Sequence, residues 1–254
     1  MNSSLITSLD LTSTTLEKIT ARLLNHLKSG QGLLTVFTPN AEQVVQASRN
    51  RQFLQTLHQA DLLIPDGMGL VWGYNLLLKT KYSKSTSEPV SRIAGVDLTR
   101  ELLKQLSTEN KSEINQTRML LIGGRNYPKN ELPFNLKWTE GFNQIDQPQP
   151  SEQRALRELI SSWQPELVFV AFGAPYQEQW VIDNQNWLEE QGVKAAMVVG
   201  GSFDTLLGRL KRAPVWMRKL GLEWLFRLFQ EPWRWRRQLR LIKFVGLVLK
   251  EIAA

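Results

Sequence analysis

Asp66 stands in the segment Pro65-Asp66-Gly67-Met68-Gly69, directly after the apolar run Leu62 to Pro65. An acid between a strand end and a glycine can face a cleft, where partial desolvation suits it to take a proton from a hydroxyl. The same placement also makes an ordinary Asp-Gly turn or helix cap, and spacing alone favours that structural role. Other apolar runs end in a similar way. Leu33 to Phe37 leads to Thr38-Pro39-Asn40, and Met119 to Ile122 leads to Gly123-Gly124. Leu167 to Phe172 leads to Gly173-Ala174-Pro175, and Ala195 to Val199 leads to Gly200-Gly201 with Asp204 close behind. Glycines at such ends let the backbone approach a ligand, and the helix N-termini that follow attract phosphate. One end of this kind is common turn chemistry. Three glycine-rich ends with an Asp and an Asn on one rim point to a nucleotide site, in which Asp204 either accepts a ribose hydroxyl or caps a helix.

The chain contains no Asp-x-Asp, no HExxH and only two histidines, His26 and His58, both within helical patterns. No ligand cluster for Mg²⁺ or Mn²⁺ is evident, so the expectation is a reaction without metal or cofactor. A departing diphosphate would then be neutralised by fixed cations. Arg227, Arg234 and Arg237 are spaced seven and three apart, one helical face if the break at Pro232 is mild. The planar guanidinium binds phosphate bidentately and stays charged. An NAD-dependent oxidoreductase is disfavoured, because no G-x-G-x-x-G follows an expected strand.

The elements that must position these residues alternate. Helices are expected at Thr14 to Leu27 (with Thr14 and Glu17 in capping-box spacing and Gly30 as the stop), Ala41 to His58, Met68 to Lys79, Val96 to Leu106, Glu152 to Trp163 and Tyr176 to Glu190. A strand is expected at each apolar run and at Asn135 to Trp138, with a polar loop at Thr80 to Ser91 and another at Asn143 to Pro150. Strands apolar throughout, alternating with helices, imply a Rossmann-like α/β core: a parallel sheet with helices on both faces. From Pro214 helical periodicity runs to the C-terminus, with Pro232 dividing it into at least two helices. The expected division is a core at 1–208 and a helical appendage at 209–254 that is not an independent domain.

The 254 residues are 42% hydrophobic and 22% charged, the balance of a globular protein. Cysteine is absent, so disulfides are excluded and a reducing cytoplasm is expected. No signal peptide and no membrane-spanning run is expected; the stretch Leu241 to Ala254 is interrupted by Lys243, Lys250 and Glu251. The net charge of +7 is unevenly placed: Gly208 to Lys250 holds twelve Lys or Arg against Glu223 and Glu231, while the body is near neutral. Such a segment meets anions. Its basic residues interleave with Trp216, Trp224, Trp233 and Trp235, which suits nucleic acid, an anionic lipid surface, or a solvated face on helices packed through Leu222, Leu225 and Phe229.

Several segments together resemble the WecG/TagA/CpsF family of bacterial glycosyltransferases. They are Thr38-Pro39-Asn40-Ala41-Glu42, Pro65-Asp66-Gly67-Met68-Gly69, Arg92-Ile93-Ala94-Gly95-Val96-Asp97, Gly173-Ala174-Pro175-Tyr176-Gln177-Glu178 and Gly200-Gly201-Ser202-Phe203-Asp204. Arg212-Ala213-Pro214, Gly221 to Leu228 and Glu231-Pro232-Trp233-Arg234 complete an ordered set over about residues 30 to 240. The resemblance implies a metal-independent, inverting transfer from a UDP-sugar, usually UDP-N-acetylmannosamine, to a sugar on undecaprenyl diphosphate. Some members use glucose or glucuronate donors. By motif, Asp66 is the implied base, Arg92 meets phosphate, and Thr38, Asn40 and Gln177 line the sugar pocket. Asp204 meets ribose, and Arg227, Arg234 and Arg237 close over the diphosphate. The resemblance also implies self-association and recruitment to the inner face of the plasma membrane through the appendage, with no nucleic-acid partner.

Overall fold

The computed structural model describes residues 4–81, 88–109, 117–127, 132 and 135–254, the side chains of residues 81, 108, 109, 234 and 237 excepted. Half of the expected loop at Thr80 to Ser91, residues 82–87, lies outside the described residues; Thr80 and Lys81 belong to the end of a helix.

Six strands form one parallel sheet: β1 (Leu34–Phe37), β2 (Leu62–Leu63), β3 (Met119–Gly123), β4 (Leu136–Thr139), β5 (Leu167–Ala171) and β6 (Ala195–Val198). Their spatial order is β2-β1-β6-β5-β3-β4. The inner strands are almost wholly apolar because both faces are covered, and alternate side chains enter different cores, whereas the edge strand β4 buries only Leu136. Phe37, Ile122, Val168, Val170 and Val198 point to one face, and Val36, Leu121, Leu167, Phe169 and Met197 to the other. Asp61 helps set the register of β1 against β2. Its Oδ2 accepts the N–H and hydroxyl of Thr35, both at 2.7 Å, just before the pairing of Val36 with Leu62.

The first face is covered by α2 (Ala41–Ala47), α3 (Arg51–His58), α4 (Met68–Lys81), α6 (Pro150–Trp163), α7 (Tyr176–Asp183), α8 (Gln185–Glu190) and the terminal α12 (Trp235–Ala253). The second is covered by α1 (Leu16–Ser29), α5 (Gly95–Glu109) and α9 (Ser202–Leu206). Three expected helices differ locally. The first starts at Leu16, two residues later than expected, with the Thr15 hydroxyl accepting the Lys18 N–H as the cap and Thr14 outside. Ala41 to His58 is two helices because Asn50 caps a second start, its Oδ1 accepting the Phe53 N–H at 3.0 Å. Tyr176 to Glu190 also divides, at Asn184, without a side-chain cap: the Asn184 amide donates back to Trp180 O at 2.8 Å.

Beyond residue 208 come α10 (Val215–Lys219), α11 (Glu223–Gln230), a 3₁₀ turn at Pro232–Arg234, and α12. The break is sharper than one shared arginine face requires: α11 stops at Gln230 and Glu231 leaves the helical region (φ −129°, ψ 71°), so Arg227, Arg234 and Arg237 do not share one continuous helix. Phe229 was expected to pack inward, yet it is 73% exposed and α11 buries no residue.

The last helix is part of the core. Phe244 and Val248 are buried against α4, where a Cβ at Gly73 would come within 2.8 Å of both side chains. Glu251, 4% exposed, accepts the Ile6 N–H at 2.8 Å, the Thr7 N–H at 3.1 Å and the Thr7 hydroxyl at 2.5 Å. One carboxylate thus ties the two ends of the chain together. Glu251→Ala leaves buried donors without an acceptor and is expected to cost about 2 kcal/mol. Thermal denaturation should show Tm lower by about 4–8 °C at this chain length.

Candidate active site

β1 and β6 are neighbours, but the helices that follow them, α2 and α9, pack on opposite faces of the sheet. A crevice opens where successive helices diverge in this way, and ligands of open α/β sheets bind there. A cavity of about 530 Å³ occupies that place.

Asp66 lies at its floor. The turn carrying it is held by main-chain bonds: Asp66 N–H donates to Pro39 O at 2.9 Å, and Ile93 N–H to Pro65 O at 3.1 Å. The ends of β1, β2 and β6 converge on the first residue of α5. A Cβ at Gly95 would lie 3.4 Å from Thr38 Oγ1, 3.6 Å from Asp66 Oδ2 and 3.6 Å from Ser202 Oγ. Burial pushes the Asp66 carboxyl up to about 6, against the opposing pull of Arg92 and of a hydrogen bond from the Gly95 backbone. A third of its side chain still opens on the cavity, so it is poorly hydrated and reachable. Those are the properties of a general base.

Arg92 stands beside it but is shared. Its Nε donates to the Asp66 main-chain oxygen at 2.7 Å, and its Nη2 lies 3.6 Å from Asp66 Oδ1 and 2.5 Å from Glu223 Oε2. Glu223, from α11, also receives Arg212 Nε at 3.3 Å. Arg212 in turn grips Asp97 with both Nη atoms, at 2.5 and 2.6 Å. Burial raises the Asp97 carboxyl, but this fork outweighs it and holds Asp97 below its ordinary value. The chain of four charges fastens α11 over the crevice.

The remaining wall comes from the ends of β5 and β6. Gly173 and Gly200 have positive φ, 82° and 47°, with open space where a Cβ would be. At Gly201 a Cβ would sit 3.0 Å from Arg227 Nη2 and 3.3 Å from Asp204 Oδ2, so the arginine of α11 closes on the backbone after β6. Asp204 accepts the Tyr127 hydroxyl at 3.0 Å. Burial and then the Asp204 charge push the Tyr127 phenol up, keeping it a donor.

Of the residues singled out by sequence, Asp66, Arg92, Thr38, Asn40 and Gln177 line the cavity, as do Gly124, Gly173, Gly200, Gly201, Asp204 and Arg227. Gly123 does not. A Cβ there would meet the Ala171 main chain at 2.7 Å, so this glycine serves the approach of β3 to β5. Pro175 also stays off the lining and forms a cis peptide with Ala174. Arg234 and Arg237 have no described side chain. Among the described residues no group of three or more His, Cys, Asp or Glu is placed to hold a metal ion. Sequence reasoning gave no role to Gln43, Tyr127, Asp97, Arg212, Glu223 or Glu178. Gln43 had a local signal, its capping-box spacing from Asn40, whereas nothing near Tyr127 announces a partner 77 residues away.

Comparison with known proteins accords with this geometry. The family model described as "Glycosyl transferase WecG/TagA/CpsF family" matches residues 5–254. A protein of Bacillus subtilis (strain 168), named N-acetylglucosaminyldiphosphoundecaprenol N-acetyl-beta-D-mannosaminyltransferase, is 33% identical over 227 residues, 85% of this chain and 79% of its own length. One of the same name from Bacillus spizizenii (strain ATCC 23059 / NRRL B-14472 / W23) is 33% identical over 265 aligned residues, 98% of this chain and 92% of its own length. With the motifs gathered on one crevice and the match spanning nearly the whole sequence, the chain belongs to the WecG/TagA/CpsF family of glycosyl transferases.

Proposed function

We propose that this glycosyltransferase moves N-acetylmannosamine from UDP to a sugar carried on undecaprenyl diphosphate, by a single inverting displacement without a protein-bound metal. The donor and acceptor classes rest on the two relatives' names and on the family resemblance. The observation that carries the mechanism is the placement of Asp66: a carboxyl of raised proton affinity on the cavity floor, between Thr38 and Arg92. Asp66 takes the proton of the acceptor hydroxyl as its oxygen attacks the anomeric carbon, and UDP leaves from the opposite side. Arg227, poised at Gly201, neutralises charge growing on the diphosphate, and Arg92 holds a phosphate beside the base. Asp204, held in place by the Tyr127 hydroxyl, offers an acceptor to the ribose.

A lipid-linked acceptor requires a surface that meets lipid. Among the described residues no helix is long and apolar enough to cross a membrane. Trp216, Phe229, Trp233, Trp235 and Ile242 are exposed along a segment rich in arginine, which suits contact with the anionic inner face of a bacterial plasma membrane. Nucleic acid is not the proposed partner.

Asp66→Asn is expected to lower kcat by about 10²–10⁴-fold while UDP affinity is kept, since proton transfer is lost and the diphosphate contacts remain. Wild-type activity in this variant would remove Asp66 from the mechanism. The same variant should melt higher at pH 7.5. The folded-state pKa is raised above the unfolded value, so ionised Asp66 disfavours folding once pH exceeds about 4, and the neutral amide relieves that. For the wild type, kcat/KM should fall as pH drops below about 6, because the base becomes protonated; a flat profile from pH 5 to 8 would contradict the assignment. Arg227→Ala removes a charged hydrogen bond to phosphate and is expected to weaken UDP binding by roughly 10–100-fold in calorimetry.

A further inference from the structure

Glu178, in the first turn of α7, is fully buried, with 0% exposure. Its Oε1 accepts an N–H from the Gln43 side-chain amide and one from Gln177, each at 2.9 Å. Its Oε2 is buried with no hydrogen-bond partner. Each glutamine is anchored at its other end to a wall of the crevice. Gln43 Oε1 accepts the Asn40 N–H at 2.9 Å, and Gln177 Oε1 accepts the Gly173 N–H at 3.1 Å. These are the first turns beyond β1 and β5.

The arrangement fixes which way both amides face. A flipped amide would press its NH₂ against a backbone N–H and its oxygen against the carboxylate, losing two bonds and adding two repulsions. Each Nε2 carries two hydrogens, of which one goes to Glu178, and among the described residues no hydrogen bond takes the other. Gln43 and Gln177 both line the cavity that holds Asp66. The groups they can offer a ligand there are donors, and their complement is oxygen. Packing does not call for a carboxylate at this position. A buried acid without a cation is costly, and an apolar side chain would fill the space without that cost.

We propose that Glu178 is a positioning residue of the donor-sugar pocket: by gathering both amides on one oxygen it presents them as paired N–H donors to a hydroxyl or acetamido oxygen of the transferred sugar. This rests on the proposed function and adds the group that organises its pocket. Gln43 and Gln177 touch the sugar, and Glu178 acts through them.

The test compares Glu178→Leu and Glu178→Gln in the full chain, measuring kcat/KM with UDP-N-acetylmannosamine, UDP affinity and Tm. Leucine removes the acceptor oxygen and is expected to lower kcat/KM at least ~30-fold, while UDP affinity stays within about twofold because the nucleotide wall is untouched. Glutamine keeps one acceptor oxygen and should hold kcat/KM within about fivefold of wild type. A merely structural role would instead weaken UDP binding along with turnover. Should the leucine variant not fold, Glu178→Asp replaces it, since shortening by one methylene withdraws the oxygen from both amides; a tenfold loss is expected. Unchanged kcat/KM in a folded leucine or aspartate variant would overturn the inference alone, as would equal losses in Glu178→Leu and Glu178→Gln. Absence of turnover by the wild-type protein would overturn the proposed function and this inference with it.

Discussion

β1 and β6 pair in parallel from Leu34 to Val36, and the chains leaving them turn to opposite faces of the sheet. Had α2 and α9 shared a face, their first turns would have filled the space between the strands. Because they diverge, the carboxyl ends of β1, β2 and β6 stand open, and the short loops deliver Thr38, Asp66 and Ser202 around the start of α5. The register of this part of the sheet is secured well below the cavity, by Asp61 on Thr35 and by the inward strand side chains. The site is therefore a by-product of topology that side chains then specialise.

That specialisation works against stability. Burial raises Asp66 to about 6 and Glu178 to about 7, in each case by removing water from a carboxyl. Both groups bind a proton more tightly folded than unfolded, so at neutral pH their ionisation favours the open chain. The fold offsets this elsewhere. Two fully covered sheet faces bury Phe37, Phe53, Phe169 and Phe203, and Glu251 fastens the C-terminus to Ile6 and Thr7. Glu251 shows what an acid in a structural role looks like: every bond it makes is to donors of the protein itself. Asp66 opens on a cavity instead, and Glu178 keeps one oxygen without a partner.

The parallel sheet, its strands and the rim carrying Asp66 were legible because they follow from local pattern: apolar runs ending in Gly, Asp or Asn. Family resemblance added a role for Arg92, whereas Arg227 is readable as a fixed cation from its spacing. Local pattern failed where the determinant is distant or geometric. Hydropathy joins helices that the chain breaks at Asn50 and Asn184, since periodicity registers neither the cap at Asn50 nor the backbone turn at Asn184. Gly123 reads like Gly124 in sequence, yet the first answers to a neighbouring strand and the second lets the Tyr127 ring fold back. Phe229 has a core residue's periodicity but no core to enter. Glu178 lay inside a family motif without a role, because its partner Gln43 stands 135 residues away and reaches it only in the folded chain.

The basic C-terminal segment is not one object. Its second half, α12, is a core helix: Phe244 and Val248 are buried, and Gly73 on α4 is small enough to admit them. Its first half, α10 and α11, buries almost nothing and is held by charge, through Glu223 to Arg92 and Arg212 and through Arg212 to Asp97. These ion pairs are partly buried, their side chains 13–32% exposed, so salt screens them little and only a strongly charged anion arriving at the site itself can compete with them. On the proposed mechanism, a diphosphate held by Arg92 would compete with Glu223 for the same guanidinium. The helix carrying Arg227 would then be fastened at the point where the substrate's charge arrives, while α12 stays packed in the core.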